Sequence, residues 1–210
     1  MIASLPVAVA IALSPFALIP AIVLLLTPRP RAAAGAFLAG WALGVGLVTA
    51  LAVAAADLVD AHGASPAWVD RVRMLLGAAL VVLGIVRWRS RGGPAPAWLQ
   101  GVKTATPRRA LVLGLALSVA NPKVLLLAVA GGIVIGASAT GLVQEALGVF
   151  AFTAVASLGV ALPWLAFLAA PERAMPLLAR LRAWLEANAD AVMAGVLLVL
   201  GVLLLAKGLG

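Results

Sequence analysis

Two places in this chain put a small polar residue directly before a proline inside a long apolar run. One is Ser14–Pro15, within ALSPF. The other is Asn121–Pro122, within ANPK, where Lys123 follows at once. Proline removes a backbone donor and clashes with the preceding turn of a helix. The residue before it is pushed out of the helical region. Ser and Asn are good N-caps, and proline suits the first helical position. Each site therefore reads as a helix that stops and restarts. A restarted helix presents free N–H groups and the positive end of its dipole, which attract anions. The expected substrate-binding residues are thus Ser14, Pro15, Asn121, Pro122 and Lys123.

Lys123 adds a charge where charge is expensive. An ammonium at the centre of a bilayer costs roughly 2.5–3.5 kcal/mol on insertion scales. Two readings stand for it: it faces an anionic substrate, or it snorkels or pairs with Glu145 or an Asp. The residues offer little other chemistry. Paired carboxylates, a nucleophile triad and a phosphate loop are all missing, so an enzyme is not expected. Cysteine is absent, which removes disulfides and thiolate metal sites. Acids inside the apolar runs are missing too, which disfavours a divalent-cation carrier. No cofactor and no metal are expected. The single histidine, His62, falls in a short polar loop, where a solvated ring is the default.

The elements that must position these residues are membrane helices. Of 210 residues, 65% are hydrophobic and only 10% charged, and the mean hydropathy is +1.19. A soluble domain carries about 25% charged residues. Several apolar runs exceed the roughly 18 residues that mark a spanning helix. Their composition shows no period-2 alternation, which excludes a barrel. The net charge of +8 does not indicate nucleic acid, because the basic residues lie between the apolar runs and serve topology.

Six spans are expected: Leu5–Leu26, Ala32–Ala56, Met74–Val86, Ala110–Gly136, Ala146–Leu168 and Ala191–Ala206. The first reads as a retained helix and not a signal peptide. The loops after spans one, three and five carry eleven basic residues: Arg29, Arg31, Arg87, Arg89, Arg91, Lys103, Arg108, Arg109, Arg173, Arg180 and Arg182. The opposite side carries three: Arg71, Arg73 and Lys207. The positive-inside rule then puts both termini outside an inner (plasma) membrane. Ser90–Pro107 reads as a flexible cytoplasmic loop. Leu177, Leu178, Leu181, Trp184 and Leu185 recur at helical spacing, so a separate interfacial helix is expected near residues 171–188.

The two proline sites fall in spans one and four, which are equivalent positions of two three-span halves, residues 1–92 and 93–210. A three-span unit repeated once is necessarily inverted. Paired interrupted helices in inverted halves point to a midplane transport site. The expected fold is therefore an all-α membrane protein. It has six transmembrane helices in two inverted three-helix repeats, with helices 1 and 4 broken at mid-membrane. Direct similarity between the halves is limited to Ala-Leu-Ser at residues 12–14 and 116–118. Leu18, Leu125, Leu126 and Leu127 around the breaks could line acyl chains. Ala32, Ala36, Gly40 and Gly44 form a small-residue stripe. Packing inside the subunit is its first reading and a homodimer seam its second. Trp41, Trp88, Trp98, Trp164 and Trp184 are read as interfacial anchors.

ALSPF, TPRPR at 27–31, PAWLQ, TPRRA, ANPK, RLRAWLEAN at 180–188 and LLLAKG at 203–208 occur in that order. This ordered set resembles the GAP family, the peptidoglycolipid- or sulfolipid-addressing proteins of actinobacteria, within the lysine-exporter superfamily. The resemblance covers nearly the whole chain. It implies a six-helix inner-membrane protein that helps move lipids toward the cell surface. The expected function is transport of an anionic amphiphile, a (glyco)lipid, by alternating access. The alternatives are an accessory subunit of a lipid-export machine, or an exporter of a small metabolite such as an amino acid. The expected partners are membrane lipids and an anionic lipid or small anionic substrate. A second copy of the chain and the export machinery are further candidates.

Overall fold

The computed structural model describes residues 4–61, 67–89, 102 and 104–209. His62, the boundary near residues 92–93, and most of the Ser90–Pro107 loop with Arg91, Trp98 and Lys103 lie outside the described residues. Among the described residues the regular elements are all helices: α1 (Leu5–Ala12), α2 (Pro15–Leu24), α3 (Pro30–Ala61), α4 (Ala67–Arg89), α5 (Pro107–Val119), α6 (Pro122–Gly136), α7 (Leu142–Ala169) and α8 (Pro171–Leu209). Three of these, α3, α7 and α8, are long and apolar enough to cross a membrane. Two bent pairs, α1 with α2 and α5 with α6, pass the same test together, and α4 holds the shorter apolar stretch Met74–Val86. Both expected broken spans are thus broken, at the expected residues.

The helices pair as two halves turned over relative to each other. Gly35 of α3 lies against Trp164 of α7, and Gly46 against Thr153, so these two helices run antiparallel. The third helix of each half does the same: Gly77 of α4 meets Leu205 of α8, and Gly84 meets Leu198. Cross-half neighbours come in matched sets, too. Where α3 packs on α5 and α6, α7 packs on α1 and α2. Two antiparallel pairs with exchanged neighbours are what inversion of an odd-span unit produces.

Small residues set the closest approaches. Gly40 of α3 faces the backbone of Leu111 in α5, and Gly44 faces the hydroxyl of Ser118. A side chain at Gly40 would collide with a carbonyl that cannot move away. The stripe through Gly40 and Gly44 is therefore packing inside the subunit, and it cannot also be the face of a dimer. Gly159 of α7 approaches the carbonyl of Ala12, at the end of α1, in the same way. In each half a glycine lets a long helix close onto a broken one beside its break.

One expectation is corrected. Residues 171–188 are not a helix of their own but the first part of α8, which runs 39 residues without interruption. At 1.5 Å per residue that is about 58 Å, well beyond a hydrocarbon core of about 30 Å. Arg182, Glu186, Asn188 and Asp190 interrupt the apolar run, but none of them breaks a helix. Arg182 pairs with Glu186 at 2.7 Å, and the Asn188 amide donates to the carbonyl of Trp184 at 2.8 Å. Both are bonds between consecutive turns, which support the helix they lie on.

Trp41 departs from its expected role as well. It is fully buried on α3 and stacks on Phe37 with ring centroids 6.4 Å apart. A ring buried between helices is not an interfacial anchor.

Candidate functional site

The two breaks have nearly the same backbone. Ser14 sits at φ −73°, ψ 118°, and Asn121 at φ −80°, ψ 112°. Both are extended, as a residue before proline must be, and both precede a proline that opens the next helix. The chain bends by 48° at the first break and 67° at the second. The caps differ. The Asn121 side-chain oxygen accepts from the backbone N–H of Lys123 at 3.1 Å. The Ser14 hydroxyl makes no capping bond; it is buried and has no hydrogen-bond partner among the described residues.

Next to the second break is a cavity of about 210 Å³. Asn121, Pro122 and Lys123 line it at the start of α6, Leu83 of α4 and Leu197 of α8 close it from the third helices of both halves, and Phe16 of α2 reaches it from the first break. The cavity therefore joins both broken helices to both third spans. Ser14 and Pro15 are buried and do not line it. Of the five expected site residues, three share the cavity; Ser14 and Pro15 do not, although the next residue, Phe16, does.

Lys123 is 3% exposed, and its ammonium has no hydrogen-bond partner among the described residues. It pairs neither with Glu145 nor with any other described acid. It does not snorkel, since a snorkelling lysine keeps its head in water. What remains is a buried cation beside a helix N-terminus, in a cavity whose other walls are mostly apolar. Such a site can hold an anion; the described walls offer no second ionisable group for proton transfer.

The sequence reading missed Phe16, Leu83, Met193 and Leu197, which have no distinguishing type in an apolar span. It also passed over two hydroxyls of α7, Thr153 and Ser157, and the Trp41 indole. All three polar atoms are buried without hydrogen-bond partners among the described residues. Polar residues in spans three and four apart were a signal that was available. Of the leucines expected around the breaks, none lines the cavity. Leu18 instead lines an apolar groove against α7.

A protein-family model described as "Sap, sulfolipid-1-addressing protein" matches residues 5–210. No curated protein and no solved structure matches the chain.

Proposed function

Because the chain belongs to the sulfolipid-1-addressing protein family, we propose that it is a membrane transporter that carries an anionic amphiphile by alternating access. The observation that carries this reading is the ammonium of Lys123, buried in the cavity at the second break without a counter-charge among the described residues. A buried cation is costly unless paired, and the substrate's acidic headgroup supplies the pair. The N-terminus of α6 adds its dipole to the same point. Lipid is the favoured substrate because the family's description names one. The work done on it is binding and movement, with no bond made or broken.

The membrane is the inner (plasma) membrane, with both termini outside, on the strength of the basic residues that crowd the opposite loops. A second reading, export of a small anionic metabolite, is favoured by the cavity's size. Its volume of about 210 Å³ is below the roughly 300–1,000 Å³ of common ligand pockets. It suits a headgroup or a small solute, and not a whole lipid.

The test is headgroup-selective retention by native mass spectrometry, wild type against Lys123→Ala. Wild type should hold anionic lipid in preference to zwitterionic lipid, and Lys123→Ala should lose that preference while remaining folded. Equal retention by both proteins would overturn the site. Displacement of bound lipid by a water-soluble anion, with no lipid selectivity of its own, would favour the small-solute reading.

A further inference from the structure

The two breaks share a backbone but not a cap. Ser14 takes its extended conformation with no side-chain bond to the next helix, so the proline is enough to interrupt the chain. The carboxamide of Asn121 is therefore not needed to make the second break. Its oxygen nevertheless accepts from the Lys123 backbone N–H at 3.1 Å, and that bond fixes which way the planar amide lies. Oxygen and nitrogen are the two arms of the amide. With the oxygen turned onto the start of α6, the nitrogen turns away from it. The nitrogen makes no hydrogen bond among the described residues, and it is not sealed off as the Lys123 ammonium is. Asn121 lines the Lys123 cavity, which is the space its N–H groups open onto.

We propose that the Asn121 carboxamide is a second ligand of the bound anion, so that the cavity grips an oxyanion at two points, one oxygen on the Lys123 ammonium and another on the Asn121 amide. The inference rests on the transport reading above and specifies the headgroup chemistry of that site. Among the described residues, Asn121 and Lys123 are the only polar side chains that line the cavity. The ammonium brings three N–H donors and the amide two. The amide oxygen, the one strong side-chain acceptor there, is already engaged as the cap. An anionic centre with at least two acceptor oxygens, such as a phosphodiester, matches this lining. A headgroup that also carries an ammonium meets no acid and no free side-chain acceptor in the cavity, and burying it without a partner is costly. The site thus discriminates a net anion from a zwitterion built on the same phosphodiester. One side chain closes the start of α6 with its oxygen and holds the substrate with its nitrogen.

The experiment measures retention of phosphatidylglycerol against phosphatidylcholine by native mass spectrometry, on the full chain, for wild type, Lys123→Ala, Asn121→Ser and Asn121→Asp. Ser and Asp rank with Asn as N-caps, so both variants keep the start of α6, and melting temperatures close to that of wild type check this. Asn121→Ser removes the amide donors and leaves the lysine. Its preference for phosphatidylglycerol should fall about tenfold, the worth of a hydrogen bond to a charged group, and stay above that of Lys123→Ala. Asn121→Asp sets a carboxylate beside the ammonium, so the charge is satisfied within the protein and the preference should drop to the level of Lys123→Ala. A cap alone would be indifferent to both changes. Wild-type preference in the two Asn121 variants would therefore overturn the proposal. If the preference depends on Lys123 and not on Asn121, the second ligand alone falls. If it does not depend on Lys123, the transport reading beneath it falls first. Should either Asn121 variant not fold, the other decides by itself.

Discussion

Lys123→Met separates a functional lysine from a structural one by the sign of two effects. Lys123 is 3% exposed and has no partner for its ammonium among the described residues. Methionine is unbranched, of similar length, and adapts to irregular space, so the substitution removes the charge and keeps most of the packing. The charge carries an insertion cost of roughly 2.5–3.5 kcal/mol at mid-membrane. Water in the cavity offsets part of this, leaving a gain in stability of about 1–3 kcal/mol. Affinity moves the other way. A hydrogen bond to a charged group is worth about 1.5–3 kcal/mol, and about 1.4 kcal/mol is tenfold. Anionic lipid should therefore bind roughly ten- to a hundredfold more weakly. Thermal unfolding in detergent reads the first effect, and titration by native mass spectrometry reads the second. Lys123→Arg, which keeps the charge but changes its shape, should fall between. A Lys123→Met protein that is less stable and equally selective would refute the reasoning, because the lysine would then be part of the packing and not of the site.

Three further outcomes are expected. Asn121→Ala removes a formed cap bond and should destabilise the protein by about 0.5–2 kcal/mol; Ser14→Ala removes a hydroxyl that caps nothing and should not, so equal melting shifts would contradict the geometry. Gly40→Ala should destabilise by about 1–3 kcal/mol through overpacking, with no change of oligomeric state in detergent. Gly195→Ala, with nothing within 4 Å of the added carbon, should be neutral or stabilise by up to about 1 kcal/mol through helix propensity; reversal of the two would show that the stripe is not internal. The chain has no cysteine, so single cysteines report topology without background: Thr140→Cys should label with an impermeant thiol reagent in intact cells and Ala97→Cys should not, and the opposite pattern would invert the orientation.

The parts of this architecture that were legible in the sequence are those decided locally. Proline's effect on the residue before it does not depend on the rest of the fold, and both breaks occur at Ser14 and Asn121. Hydropathy placed the spans because lipid is the solvent for most of the chain. It misread residues 171–188, because hydropathy registers what surrounds a helix and not whether the backbone continues through a polar stretch. The cavity walls from Leu83, Met193 and Leu197 were not legible, since a helix that is apolar all round carries no periodic mark of its inner face. Leu125, Leu126 and Leu127 were expected near acyl chains for the same lack of a mark. Leu125 is 37% exposed and Leu127 fully buried, and the groove takes only Leu18 from that set. The stripe at Gly40 and Gly44 fitted two roles equally, and only the position of α5 decides between them.

Aligning the two breaks, Pro15 with Pro122, makes Phe16 the counterpart of Lys123, and the two meet in one cavity. Two inverted halves of identical sequence would give inward- and outward-facing states that are mirror exchanges of each other and equal in free energy. Here the exchange swaps an aromatic ring for an ammonium. On the proposed transport reading, a headgroup would find its counter-ion on α6 in either state, at different depths from the two membrane surfaces. In an alternating-access cycle the two states differ in energy by whatever that placement is worth to the ligand, and the ligand can shift their populations by no more than that difference. If the chain works as the proposed alternating-access transporter, the exchange of Phe16 for Lys123 is one of the differences between its halves that would bias it toward one resting side.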